Sequence, residues 1–107
     1  MNSFSVRCIF RWDSLPDRQA AHVYEERITL WRADNASAAI ELADQEADRY
    51  SSESGAEFLN CLQAYELAEP FDAHGVEVFS LLRDSDLEPP AYIGTFFDTG
   101  FERQRPA

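Results

Sequence analysis

Apolar and polar residues alternate from Phe4 to Trp12. Phe4, Val6, Cys8, Phe10 and Trp12 fall on one face, Ser5, Arg7 and Arg11 on the other, and Ile9 is the exception. A period of two marks a strand with one face on a core. Residues 13–19, with Pro16 and Asp17, read as an irregular, mobile connection too long for a tight hairpin. A second strand is predicted over His22–Ala33 from its β-branched and aromatic residues Val23, Tyr24, Ile28, Thr29 and Trp31. The triplet Glu25-Glu26-Arg27 puts charge on both of its faces. This end is therefore expected to project past the core or to lie near an opening. Around Asp34 the apolar period lengthens from two to about three and a half. Asn35 is the expected N-cap, because its side-chain oxygen can accept from an orphaned backbone N–H. The helix should run to about Ser51, with Ala36, Ala39, Ile40, Ala43, Ala47 and Tyr50 on one face. Glu41, Asp44, Gln45, Asp48 and Arg49 are left to solvent, and residues 51–55 end the helix.

A third strand is predicted over Glu57–Leu67, with Leu59, Cys61, Tyr65 and Leu67 sharing a face, and a turn over 69–75. The fourth, Val76–Arg83, is apolar on both faces apart from Glu77 and Ser80, which suggests a central place in the sheet. Within 84–100 a short helix follows. Pro89 suits the first helical position, Glu88 stands before it, and Tyr92, Ile93, Phe96 and Phe97 should pack inward until Gly100 closes the element. The predicted fold class is α+β. A four-stranded, mainly antiparallel sheet in the order β-β-α-β-β-α carries the long helix on one face, with a short C-terminal helix. Residues 1–107 are expected to form a single domain, ordered over about 3–100 and frayed over 101–107.

Composition narrows the functions. The 107 residues carry a net charge of −11, from 20 acidic and 9 basic residues, every basic one an arginine. With 45% hydrophobic residues and a mean hydropathy of −0.41 the chain reads as globular. The charge weighs against nucleic acid and against anionic membrane surfaces, both of which are bound through cations. It leaves solubility, or attraction to a basic partner. No apolar run approaches the ~20 residues of a membrane span, and residues 1–13 lack the pattern of a signal peptide, so a cytoplasmic location is expected. Cys8 and Cys61 then read as reduced, buried thiols. Their spacing fits no zinc motif, and His22 and His74 would complete one only if four distant segments converged. No metal or cofactor is expected.

The segments SVRCIFRW, YEERITLWRA and EVFSLLRDSDLEPPAYIGTFFDTG together resemble a small bacterial family known as domain of unknown function number 4288. The likeness extends over nearly the whole chain and rests on patterns of packing and charge. It implies a compact, standalone α+β protein and transfers no activity to any residue.

Several constellations of residues bear on chemistry. Glu25 and Glu26, adjacent on a strand, point to opposite faces and cannot act as one carboxylate pair. Glu25 and Arg27 share a face and suggest a surface ion pair. Arg83-Asp84-Ser85-Asp86 offers two carboxylates that suit a hard cation, but the same residues are common turn and cap formers, with Arg83 tying the turn locally. Phe4, Phe10, Trp12, Trp31, Tyr65, Phe79, Tyr92, Phe96 and Phe97 read mainly as core. Trp12 and Trp31 lie late in their strands, where exposure and a role in partner binding are expected. The chain has no G-x-S-x-G elbow and no phosphate-cradling glycine loop, and neither cysteine has a histidine on its own element.

The leading expectation is a non-enzymatic protein-binding module, one form of which is an immunity or inhibitor protein whose acidic face meets a basic partner. The alternative is a small-molecule-binding domain or minor enzyme with a polar site on the open sheet face. Its candidate binding residues are Arg7, Arg11, Glu25, Arg27 and Arg83, with Trp12 and Trp31 beside them. A homodimer through a strand edge or the aromatic face is compatible with either.

Overall fold

The computed structural model describes residues 1–13, 21–68, 75–98, 100 and 104–105, without the side chains of 76, 78, 79, 104 and 105. The connection expected over 13–19 therefore lies outside the described residues beyond Asp13, as do the turn expected over 69–75 up to its final Gly75, and the Phe79 ring. The elements are β1 (Asn2–Trp12), β2 (His22–Ala33), α1 (Ala36–Ser54), β3 (Glu57–Glu66), β4 (Val76–Ser85), α2 (Pro89–Phe96) and β5 (Gln104–Arg105). All strand pairs are antiparallel, in the order β4-β2-β1-β3-β5. The α+β class and element order expected from the pattern hold. No helix among the described residues is long and apolar enough to cross a membrane.

The start of α1 follows the capping argument: the Asn35 side chain accepts from the Ala38 N–H at 2.8 Å. Its end is Gly55, in the left-handed region at φ 86, whose N–H donates to the Ser51 carbonyl at 3.0 Å. Ala39, Ile40, Ala43 and Ala47 are buried against the sheet, where they meet Phe4, Val6, Cys8, Phe10, Trp31, Ala33, Leu62 and Ala64. The small alanines let the helix axis sit close to this first face. The second face carries a separate core of Ile9, Tyr24, Cys61, Tyr92 and Phe97, with α2 supplying the last two residues from its body and its C-cap. Cys8 and Cys61 are buried thiols, one in each core.

Several expectations are corrected. β4 is an edge strand, not a central one. Alternation reports what packs above and below a strand and is silent about hydrogen bonding at its edges. Glu25, Glu26 and Arg27 do not project past the core but are buried on an inner strand, at 6%, 4% and 6% exposure. Trp31 is buried, whereas Tyr65 and Phe96 are exposed. α2 ends at Phe96, with Phe97 as its C-cap, before Gly100. Gln104–Arg105, expected to fray, pairs with Leu62–Gln63.

Two backbone positions need special conformations. Asn60 has φ 60, beside the irregular register where β3 passes Cys8–Phe10 of β1. Such a bulge twists a sheet edge and makes it a poorer template for pairing. Gly75 has φ 66, donates its N–H to the Leu30 carbonyl and lies against the Trp31 indole.

Candidate functional site

The charged triplet of β2 is the centre of two networks, one on each face of the sheet. Strand geometry sends Glu25 and Arg27 toward α1 and Glu26 toward α2.

On the α1 face, Arg27 Nε donates to Glu77 Oε1 at 2.7 Å, and its two terminal nitrogens grip the Glu46 carboxylate at 3.0 and 3.3 Å. The guanidinium also lies 3.6 Å from the Tyr50 ring centroid and 5.7 Å from that of Phe10. A planar fork over an aromatic face is arginine's particular competence. Burial alone would lower the Arg27 pKa, but bonding to Glu46 and Glu77 outweighs it and holds the pKa above its usual value. Glu25 accepts from Trp12 Nε1 at 3.1 Å, from the Tyr50 hydroxyl at 2.7 Å and from the Ser80 hydroxyl at 2.7 Å. The expected surface pair of Glu25 with Arg27 is thus replaced by two buried groups that each hold their own partners and share Tyr50. Burial and the Glu25 carboxylate push the Tyr50 phenol well above its ordinary range, so it stays a donor.

On the α2 face, Glu26 is gripped from two strands. Arg7 Nε lies 3.3 Å from one carboxylate oxygen, and Arg83 Nη1 lies 2.9 Å from the other. The Tyr92 hydroxyl donates to Glu26 at 2.9 Å and accepts from Arg83 at 2.6 Å. Burial, then Glu26, raise the Tyr92 phenol well above its ordinary range. Arg83 also lies over the Phe96 ring and Arg7 over the Phe97 ring, 4.2 and 4.4 Å from the centroids. Arg83 therefore ties α2 to the sheet and does not serve the local turn. That turn is held instead by Ser85, which accepts from the Leu87 N–H, and by Asp86, which accepts from the Ala21 N–H.

The candidate residues consequently separate. Glu25, Arg27 and Trp12 belong to the α1 face, and Trp31 is packed in its core, donating to the Thr29 hydroxyl at 2.6 Å. Arg7 and Arg83 converge on the opposite face, while Arg11 pairs at the surface with Glu57 at 2.6 Å. Pattern reading missed Glu26, Glu46, Tyr50 and Tyr92 as members of these networks. Glu46 carried a usable signal: it stands three residues after Ala43 and four before Tyr50, inside the apolar stripe of α1. Chemically, both networks present carboxylates saturated by donors and phenols that keep their protons. That arrangement fixes α1 and α2 on the sheet and has no activated nucleophile among the groups described.

Comparison of the chain with protein-family models, with characterised proteins and with solved structures finds no match.

Proposed function

We propose that the protein is a non-enzymatic, cytoplasmic binding module whose acidic exterior engages a basic protein partner, in the manner of an inhibitor or immunity protein. One observation carries this reading. Arg7, Arg11, Arg27 and Arg83 are each turned onto a carboxylate of the same chain. Among the described residues the exposed arginines are Arg32 and Arg49, set against exposed Asp34, Glu41, Asp48, Glu53, Asp84 and Asp86 among others. Among the described residues the exterior is thus more one-sided in charge than composition alone requires, and such a field steers a cationic protein into encounter. The likeness to domain of unknown function number 4288 adds no activity to this reading. The small-molecule alternative is weaker, because Glu25 and Arg27 leave its residue set for the other face and Arg7 and Arg83 are engaged by Glu26 and α2.

The test is capture on the immobilised protein at low salt, with elution in steps of rising ionic strength and identification by mass spectrometry. One stoichiometric basic protein released by salt is expected, and its loss from a Glu41→Gln/Asp48→Gln/Glu53→Gln variant of unchanged fold would assign the contact to α1. An eluate without such a protein overturns the proposal.

A further inference from the structure

β4 is an outer strand, and among the described residues no strand pairs with its far side. It keeps one register with β2 over 79–85, and the irregularity lies beyond that stretch, where β2 passes from Ile28 to Thr29. The opposite side of the sheet is blunted by the irregular register of β3 at Cys8–Phe10 and by the pairing of β5. A regular outer strand offers a row of backbone donors and acceptors to any extended chain that reaches it.

Cross-strand pairing sorts the side chains along this edge. Glu77, Leu82 and Asp84 stand opposite Thr29, Glu25 and Val23 and so share the α1 face. α1 lies over β3, β1 and β2 and stops short of β4. All three residues are therefore exposed, and they form a ledge on which Leu82 stands between two carboxylates along the strand. Arg83 turns to the α2 face, with its guanidinium 4.2 Å from the ring centroid of the exposed Phe96. The charges decide what pairs here. Two copies joined through β4 would bring their ledge carboxylates onto one face, each copy at a net charge of −11, and like charges across a strand pair are destabilising. An extended segment with lysine or arginine at alternate positions instead sets its cations over Glu77 and Asp84. Its intervening residues fall beside Arg83 and Phe96, where apolar side chains are favoured and cations repelled.

We propose that the β4 edge and its ledge receive an extended cationic segment of the basic partner, added to the sheet as a further strand with cations and apolar residues in alternation. This placement rests on the reading of the protein as a binder of a basic protein. Backbone pairing supplies the contact, and the ledge carboxylates select a cationic strand over a neutral or acidic one.

The experiment titrates the full isotope-labelled chain with a short blocked peptide of alternating lysine and valine and follows backbone amides by NMR. At low salt, shifts and slowed hydrogen exchange are expected over 79–85, and binding should weaken as salt is raised. Leu82→Lys changes a side chain that is 42% exposed, puts a cation on the ledge, and should weaken binding on the order of tenfold. The same peptide N-methylated throughout keeps its charge, lacks backbone donors, and should not bind. Absence of binding to the wild-type chain overturns the proposal. So does equal binding of the N-methylated peptide or of a glutamate–valine peptide, and so do perturbed amides confined to α1. A dimer of the free chain with protected β4 amides would give the edge to a second copy and overturn it too. Capture of a basic protein that the Leu82→Lys variant retains would overturn this placement and leave the acidic-module reading standing, whereas failure of both peptide and capture would remove the two together.

Discussion

Tyr92 and Tyr24 lie ring on ring, with centroids 3.8 Å and planes 15° apart, and the Tyr92 hydroxyl reaches beyond the stack to Glu26. A helix of two turns is thereby held to the sheet by one aromatic seat and one shared carboxylate. Tyr92→Phe keeps the stack and removes the phenol donor, and should cost about 1–2 kcal/mol in urea unfolding. Glu26→Ala should cost more, about 3–5 kcal/mol, because it leaves the cations of Arg7 and Arg83 with their shared partner gone. In a double-mutant cycle the two changes should be strongly non-additive. Additive losses would mean that Tyr92 and Glu26 act independently.

Arg27 joins α1 to β2 and β4 through Glu46 and Glu77. Arg27→Ala should destabilise the fold by about 3–5 kcal/mol, since the carboxylates of Glu46 and Glu77 stay in place with their cation lost. Arg27→Lys should recover only part of that, because an ammonium cannot grip Glu46 with two nitrogens while also reaching Glu77. Full recovery by lysine in denaturant midpoints would show that charge alone matters at this position.

The strands, the long helix and its Asn35 cap were legible because each is written in neighbours along the chain: alternation, then a helical period, then a capping residue. The Glu25-Glu26-Arg27 triplet was misread for a related reason. Charges in a strand suggest solvent when only sequence neighbours are considered, but Arg27 finds Glu46 19 positions away and Tyr92 finds Glu26 66 positions away. Only the folding of α1 and α2 onto opposite faces makes those meetings. β4 was misplaced because its apolar faces announce cover from above and below and say nothing about which edge is bonded.

Gly75 and Asn60 should respond oppositely to substitution. A Cβ at Gly75 would lie 2.9 Å from the Trp31 Cη2 atom, on a residue already at φ 66. Gly75→Ala should therefore cost about 1–3 kcal/mol from backbone strain and a displaced indole. Asn60→Gly relaxes a left-handed residue on an exposed stretch and should be neutral or stabilising by up to about 1 kcal/mol, whereas Asn60→Val should destabilise. Thermal midpoints of the three variants order these effects directly. A stabilised Gly75→Ala would contradict the packing described at Trp31.

Alkaline pH should loosen the fold through its phenols. Tyr24, Tyr50 and Tyr92 are all raised above the ordinary tyrosine value, first by burial and then, for Tyr50 and Tyr92, by Glu25 and Glu26. Below pH ~10 these phenols are protonated in both the folded and the unfolded chain, and their contribution is fully present. Above it the unfolded chain releases its protons first and binds fewer than the folded one, so the unfolding free energy must fall as pH rises. Urea midpoints taken upward from about pH 8 should stay level and then decline beyond about pH 10. Absorbance at 295 nm should show a class of phenolates that appears only with unfolding. Tyr50→Phe and Tyr92→Phe should each flatten the decline. An unchanged slope in both variants would mean that these hydroxyls ionise freely in the folded protein, against their burial and their carboxylate partners.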